Sequence, residues 1–240
     1  RTEVAPGRLH RTRRERRRMT SSKYPEAAFL AGMTASATHE VRNVLAIIKE
    51  SAGLVEDLVQ VYGARGALDE DKVRRAVDRI ETQVKRGADL LTHLNRLAHT
   101  LDQDLTKVEL GRELEQLVFL SQRFARQRGH QVRVEDDLEE CWLNVNSLLL
   151  HMALYEAMQC CLEELPEGSR VTVGARREGP AIVAEFRGAS DKESPRDGVV
   201  GCRRWEELVR LADVLGGSRV EGTEAGYGIR IFFRDGTGGP

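Results

Sequence analysis

Residues 37–50, ATHEVRNVLAIIKE, bring a histidine, a glutamate and an asparagine together on one predicted helix. The core of this stretch, HEVRN, differs from the HExxH zinc motif at its fifth position, where Asn43 replaces a second histidine. Zinc binding by that motif needs two imidazoles on one helix face, so the pattern argues against a metal site. A neutral imidazole is also a nucleophile toward phosphorus. His39 is therefore either a carrier of a phosphoryl group or an ordinary surface histidine.

The side chains that share a helix face with His39 favour the first interpretation. Small side chains let the backbone of a partner protein approach closely, whereas a solvated face is usually rich in Lys, Glu and Arg. Glu40 is able to hold the tautomer of His39 or take its proton, and Asn43 is able to orient an attacking group or a water. The residues within about 60° of His39 on a helical wheel are Gly32, Ala35, Ser36, Asn43, Ala46, Glu50 and Gly53.

Two long amphipathic helices are predicted to carry this face. Residues 25–62 place apolar side chains at three- and four-residue steps, in two neighbouring stripes. After a short breaker, residues 73–101 continue as a heptad seam that Gly87 interrupts once. A short connection makes the two helices an antiparallel hairpin. Because a lone hairpin leaves apolar stripes exposed, we predict a homodimer in which two hairpins form a four-helix bundle.

The pattern of predicted elements changes after about residue 106, from two long helices to shorter helices and strands. A helix near residues 112–128, short strand-like segments, a helix that Asn146 or Ser147 caps, and two hairpins around a helix at 203–215 follow in order. These elements predict an α/β sandwich of helices against a mostly antiparallel sheet. The fold class is therefore α+β. The predicted domains are a basic linker or tail (1–20), the helical hairpin (21–106) and the sandwich (107–240).

Composition narrows the classes of function. The 240 residues are 40% hydrophobic with a formal net charge of −1, and no apolar run is long enough for a membrane span. With no leader segment visible, we expect a cytoplasmic protein. Residues 1–18 hold eight arginines without interleaved aromatics. That composition favours a solvated linker over a nucleic-acid arm. The four cysteines (Cys141, Cys160, Cys161 and Cys202) show no CxxC spacing, so we predict small buried apolar residues rather than disulfides or zinc ligands.

Taken together, these features resemble those of the sensor histidine kinases of two-component signalling. FLAGMTASATHEVRNVLAIIKESAGLVEDL is similar to their H-box, and the layout matches over about residues 24–233. The resemblance implies that His39 is the phosphoacceptor, that Glu40 is the acid/base partner for transfer from ATP, and that Asn43 acts in dephosphorylating a receiver domain. The residues expected to dock a partner are Arg42, Ser36, Ala35, Ala46 and Glu50.

The second half departs from that family where the nucleotide should bind. The late asparagine of the N-box, which helps hold magnesium, is replaced by Cys160, one turn after Glu156. A thiol is a poor ligand for a hard cation. Gly188 remains from the adenine-receiving motif, which lacks its aspartate, and Gly201 alone remains of the glycine-rich phosphate loop. The segment corresponding to the ATP lid is nearly absent. These positions predict a retained scaffold with a degenerate nucleotide pocket.

The sequence thus favours a histidine phosphotransferase that relays or removes phosphoryl groups between His39 and receiver aspartates. The expected partners are a response regulator receiver domain, which supplies its own Mg²⁺, an upstream hybrid kinase and a second copy of the chain; no nucleic acid, cofactor or resident metal is expected. A divergent ATP-dependent histidine kinase is the first alternative. The second is a non-catalytic regulator that only sequesters a response regulator.

Overall fold

The structure is a computed structural model, and it describes residues 24–63, 69–100, 105–191, 198–216, 218–223 and 227–234. The predicted basic tail at residues 1–20 and most of the shortened lid segment lie outside the described residues. No helix in the described ranges combines the length and the apolar character that crossing a membrane requires.

The first half is the predicted antiparallel hairpin of two long helices. Helix α1 spans Pro25–Gly63 and α2 spans Glu70–His99. Proline suits the first helical position because its missing N–H needs no partner there. The carboxylate of Asp69 caps α2 by accepting a hydrogen bond from the backbone N–H of Lys72 at 3.1 Å. The buried apolar residues of the two helices include Met33, Ala37, Val44 and Leu58 on α1, and Ala76, Leu90 and Leu97 on α2.

Gly87 marks the close approach of the two helices. A Cβ atom at this position would lie 3.2 Å from Cγ1 of Val44 on α1, which is tighter than an ordinary contact. The interruption of the heptad seam is therefore a packing feature, because a larger side chain would push α1 and α2 apart. It fixes the register in which residues near Gly87 face the turn of α1 that follows His39.

The second half is an α+β sandwich, as predicted. Its helices α3, α4 and α5 pack on one face of the main sheet, and a short 3₁₀ helix precedes α5. The described elements are β1 (Thr106–Glu109), α3 (Leu110–Gln127), β2 (Gln131–Val134), β3 (Trp142–Val145), α4 (Ser147–Glu164), β4 (Arg170–Glu178), β5 (Ala181–Ala189), the 3₁₀ helix (Val199–Gly201), α5 (Trp205–Val214), β6 (Arg219–Gly222) and β7 (Gly228–Arg234).

The main sheet has the strand order β2-β4-β5-β7-β6, in which β2 and β4 run parallel and the other neighbours antiparallel. The side chains that point toward the helices occupy alternate positions of each strand, and consecutive residues along the middle of β5 and β7 are buried. Strand β1, which the sequence analysis did not find, pairs with β3 in a separate two-stranded sheet. Fully buried inward residues include Val171, Val173, Ile182, Phe186, Ile229, Ile231 and Phe233.

Two of the predicted helix boundaries are confirmed by their caps. The side chain of Asn146 accepts a hydrogen bond from the backbone N–H of Leu149 at 2.9 Å, which starts α4 where the sequence placed a cap. Helix α5 ends before Gly216, whose φ of +90° is a left-handed conformation that favours glycine.

The hairpin and the sandwich also contact each other. Phe29 of α1 meets Tyr155 of α4 edge to face, with ring centroids 5.4 Å apart. Arg96 of α2 forms an ion pair with Glu113 of α3, and Nε2 of His151 on α4 lies 2.7 Å from the other oxygen of that carboxylate. Glu113 and His151 are each almost completely buried. The end of α2 is therefore joined to two sandwich helices by one charged cluster.

Candidate functional site

His39 lies on the exposed side of α1, within the part of the hairpin that the sandwich reaches. Four of the five predicted docking residues are exposed around it: Ala35, Arg42, Ala46 and Glu50. Ser36 is the exception, because it is only 3% exposed and lies on the same side as the buried Met33 and Ala37. The helical wheel placed Ser36 at the edge of the face of His39, and packing covers that edge. Ser36 is therefore not available at the surface of this chain for docking a partner.

Glu40 is held between the hairpin and the sandwich. Its Oε2 atom accepts hydrogen bonds from Nη2 of Arg86 on α2 and from Nη2 of Arg126 on α3, each at 2.7 Å. The Glu40 residue is 7% exposed, whereas the two arginine side chains stay partly in water. Charge-assisted bonds of this length are among the stronger hydrogen bonds in proteins. The carboxylate next to the candidate phosphoacceptor thus connects three helices.

Asn43 links Glu40 to His39. Its Nδ2 atom donates to Oε1 of Glu40 at 3.4 Å and lies 3.3 Å from Nδ1 of His39. His39 and Asn43 are separated by four residues, which brings their side chains together on one helix face. The structure therefore brings all three predicted catalytic residues into one network. The polar partner of the His39 ring in this network is Asn43, and the Glu40 carboxylate faces the arginines and the amide.

Arg86 and Arg126 were not found by the sequence analysis. Arginines are common in both helices, so neither stands out in a single sequence. The signal that was present is Gly87, whose place in the heptad seam marks the crossing next to Val44. That crossing puts Arg86 within reach of Glu40, one turn before Val44. No comparable signal exists for Arg126, because its contact depends on how the sandwich sits on the hairpin.

The family resemblance assigned Glu156 and Cys160 to a nucleotide pocket, and in the structure the side chains of both contact other residues of the chain. Cys160 of α4 forms a disulfide with Cys202, which follows the 3₁₀ helix. The prediction that these two cysteines are free was therefore wrong, because a separation of 42 residues leaves no local spacing signal. Cys141 and Cys161 are buried thiols outside the disulfide, as predicted. Burial raises the pKa of the Cys161 thiol to about 12, so this residue is an inert apolar side chain at neutral pH.

A group of charged side chains lies beside that disulfide. Nη1 of Arg204 contacts both carboxylate oxygens of Glu156, at 2.9 and 3.2 Å, and its Nε contacts Glu163 at 3.0 Å. Burial lowers the pKa of the Arg204 guanidinium, but the two carboxylates outweigh this effect and hold it above its usual value. Burial raises the pKa of Glu163, and the hydrogen bonds from Arg203 and Arg204 outweigh that and lower it. Arg204 is therefore a permanent cation inside this group.

Of the two glycines that the family resemblance assigns to nucleotide-binding motifs, Gly188 has a packing role. A Cβ atom on Gly188 would lie 2.3 Å from the backbone oxygen of Tyr227, so only glycine allows β5 to approach that segment. Gly201 ends the 3₁₀ helix and is exposed. Among the described residues, no group of three or more His, Cys, Asp or Glu side chains is arranged to hold a metal ion.

The comparisons with known proteins find similarity to solved structures alone. No family model matches the chain, and no curated protein matches it. Among solved structures, the histidine kinase AdeS of Acinetobacter baumannii covers 83% of this chain and 98% of its own, at 11% identity and a TM-score of 0.46. A structure of a bacterial phosphotransferase covers 89% of this chain and 97% of its own, at 14% identity and a TM-score of 0.43.

A third similar structure is the histidine kinase ThkA in complex with the response regulator protein TrrA. It covers 92% of this chain and 65% of its own, at 14% identity and a TM-score of 0.42.

Proposed function

We propose that this protein is a histidine phosphotransferase of two-component signalling, in which His39 exchanges a phosphoryl group with aspartates of receiver domains. The observation that supports this most directly is the network at His39: an exposed imidazole, contacted by Asn43, beside a carboxylate that two arginines hold in place. Phosphoryl transfer requires little covalent chemistry from a protein beyond positioning and charge compensation. The receiver domain supplies the Mg²⁺ and the aspartate.

The exposed face around His39 suits a receiver domain as the partner. Ala35 and Ala46 are small and exposed on either side of the histidine. Arg42 and Glu50, also exposed, provide charges at the rim of the same face. Small residues at the centre and charges at the edge permit close approach and orient the partner. Arg42 and Glu50 are therefore proposed to influence which receiver binds.

The proposed phosphoryl donor is a receiver aspartate and not ATP. In the sandwich, the position where the family resemblance implies a magnesium ligand is occupied by Cys160, which is bonded to Cys202. Glu156 is engaged by Arg204, and Arg203 and Arg204 both bind Glu163. The side chains that would contact Mg²⁺ and phosphates therefore already have protein partners. A divergent kinase would have to break these contacts before it bound a nucleotide.

A labelling experiment distinguishes the proposal from both alternatives. The chain is incubated with radiolabelled ATP and Mg²⁺, and separately with a receiver domain carrying a labelled aspartyl phosphate. We expect label on the chain from the receiver alone, and its loss in His39→Gln. The matched control is His99→Gln, an exposed histidine of the same hairpin, which should keep the label.

Each alternative has its own outcome in this experiment. Label taken from ATP by the wild-type chain, and lost in His39→Gln, would establish the divergent kinase. A chain that is never labelled, with receiver binding unchanged in His39→Ala, would establish the non-catalytic regulator.

We further propose that the protein acts as a homodimer. Leu45 and Val59 on α1 and Val84 and Leu91 on α2 are between 51% and 58% exposed. From the angular spacing of helix positions, these residues lie on the same side of the hairpin, next to the buried seam between α1 and α2. An apolar stripe along both helices of a hairpin fits a second copy, which offers the same stripe in an isologous four-helix bundle.

Sedimentation equilibrium tests the proposed dimer. We expect wild type to be dimeric at micromolar concentration and Leu91→Glu to shift it toward monomer, because the substitution places charges in the centre of the shared stripe. Val209→Glu is the matched control, since Val209 is 42% exposed on α5 of the sandwich. A wild-type monomer at that concentration would contradict the proposal.

A further inference from the structure

The orientation of the Asn43 amide is determined by the charge of its neighbours. Oε2 of Glu40 accepts hydrogen bonds from two guanidinium groups, each at 2.7 Å. An ionised carboxylate only accepts hydrogen bonds, so the group 3.4 Å from Oε1 must be the NH₂ end of the amide and not its oxygen. The same nitrogen, Nδ2, lies 3.3 Å from Nδ1 of His39. One N–H therefore points to Glu40, and the other points to the imidazole.

This orientation decides which ring nitrogen of His39 accepts. Because Nδ2 can only donate, Nδ1 must present its lone pair, and the neutral ring carries its proton on Nε2. An imidazole that bears a phosphoryl group on Nε2 has the same arrangement at Nδ1, a lone pair and no proton. The network in the unmodified chain is thus complementary to the neutral, Nε2-phosphorylated ring.

We propose that Asn43, oriented by Glu40 together with Arg86 and Arg126, stores the phosphoryl group on Nε2 of His39 by donating a hydrogen bond to Nδ1. The inference rests on the proposed function and assigns Asn43 and Glu40 a positioning role within it. It differs from the role that the family resemblance implies for Glu40, an acid/base partner of transfer from ATP.

The transfer step balances as follows. The ring first exchanges its proton through water to the Nδ1–H tautomer, and the Nε2 lone pair attacks the phosphorus of the aspartyl phosphate. The P–O bond to the receiver carboxylate breaks, and that carboxylate leaves with the electron pair. The product ring is an imidazolium, and its Nδ1 proton passes to water because His39 is exposed. Asn43 then donates to the freed lone pair. Return of a proton to Nδ1 makes the ring a better leaving group, so the Asn43 bond slows the loss of phosphate.

Because of the two arginines, the lifetime of the phosphoryl group on His39 depends on both the hairpin and the sandwich. Arg86 belongs to α2 and Arg126 to α3, while Glu40 is on the helix of His39 itself. Removing Arg126 takes away one of the two cations that hold the carboxylate, so the amide loses part of its fixed orientation. The sandwich is thereby given a role at His39 that needs no nucleotide.

The test measures the lifetime of the phosphohistidine in the full chain. Wild type and variants are phosphorylated chemically with phosphoramidate, so that no receiver is needed, and the modified histidine is located by mass spectrometry. ³¹P and ¹⁵N NMR then report the phosphorylated nitrogen and the state of Nδ1. We expect Nε2-phosphohistidine at His39, with a lifetime at neutral pH that is roughly threefold to tenfold shorter in Asn43→Ala, as the loss of one hydrogen bond predicts.

Further variants separate the hydrogen bond from a general structural effect. Asn43→Asp accepts from Nδ1–H and should shorten the lifetime further, because it stabilises the protonated ring. Arg126→Gln should shorten it less than Asn43→Ala. Arg112→Gln, which removes the same charge from the first turn of α3, should leave it unchanged. Equal lifetimes in wild type, Asn43→Ala and Asn43→Asp, or a phosphoryl group on Nδ1, would overturn the inference. Failure to exchange phosphate with any receiver, with these lifetimes as expected, would count against the proposed function alone.

Discussion

Glu40 stands next to the candidate phosphoacceptor in the chain, yet its carboxylate is engaged elsewhere. In a helix, adjacent residues point about 100° apart, so a neighbour in sequence is directed away from the side chain before it. That difference places His39 in solvent and Glu40 against α2 and α3. Asn43, four residues on, returns to the face of His39 and touches both. Sequence adjacency therefore predicted the members of the site but not their contacts.

Substitution of Glu40 should affect stability, whereas substitution of His39 should not. In Glu40→Gln the two arginines lose their shared anion, but both are partly solvated and the loss is reduced by water. We expect the free energy of unfolding to fall by about 1 kcal/mol. His39→Gln, at an exposed position, should change it by less than about 0.5 kcal/mol. Urea unfolding of both variants checks this, and equal effects would show that the arginine contacts do not contribute to folding.

The proximity of His39, Glu40 and Asn43 was predictable from sequence because they lie within five positions of one helix. The contacts that hold them were not, because Arg86 and Arg126 are 46 and 86 residues away from Glu40. The burial of Ser36 was not predictable either, because a helical wheel gives the direction of a side chain but not what packs over it. The Cys160–Cys202 bond also joins segments that only the folded sandwich brings together. Periodicity predicts elements and faces, and long-range packing decides which faces remain open.

At the scale of elements, the junction between hairpin and sandwich is a charged cluster at the end of α2. The carboxylate of Glu113 on α3 forms an ion pair with Arg96 of α2 and contacts His151 of α4. Burial raises the pKa of the Glu113 carboxyl, but the hydrogen bond and charge of His151 and the charge of Arg96 outweigh it, so the pKa lies below its usual value. The ionised form is therefore the one that the fold stabilises. Three helices depend on this single carboxylate for their mutual position.

The lowered pKa of Glu113 makes this junction sensitive to acid. Because its pKa is lower in the folded chain, the ionised Glu113 carboxylate adds to the free energy of unfolding at pH values above the usual glutamate pKa of about 4.3. This contribution is lost as the pH falls through the lower pKa of the folded state. Glu113→Gln should lower the free energy of unfolding by about 2 kcal/mol at pH 7. This is less than the loss expected for breaking a fully buried ion pair, because Arg96 is partly exposed. Below about pH 4 the difference between variant and wild type should shrink. Urea unfolding across this pH range measures it, and a constant difference would contradict the assignment.

For the molecule as a whole, the sandwich has a continuous core, and its charged side chains pair with one another beside the disulfide. The sheet and its three helices bury a continuous apolar core, which explains why the elements of the sandwich could be predicted from patterning. Beside the buried Cys160–Cys202 bond, Arg204 pairs with Glu156 and Glu163. The family resemblance implies Mg²⁺ and phosphates in this region. Through Arg126, the sandwich also contacts Glu40, the residue next to His39 in the chain.

Removal of the disulfide should weaken the fold without creating an ATP site. The bond closes a loop of 42 residues between α4 and the segment before α5, so its loss in Cys160→Ser with Cys202→Ser should cost about 2 to 4 kcal/mol. Reduced wild type, which lacks the same bond, is the matched control and should unfold at the same urea concentration. Titration of the double variant with Mg·ATP should show no saturable heat, because Arg204 still holds Glu156 and Glu163. Saturable binding after loss of the bond would show that the disulfide alone excludes the nucleotide, and would make the divergent kinase the better account of the chain.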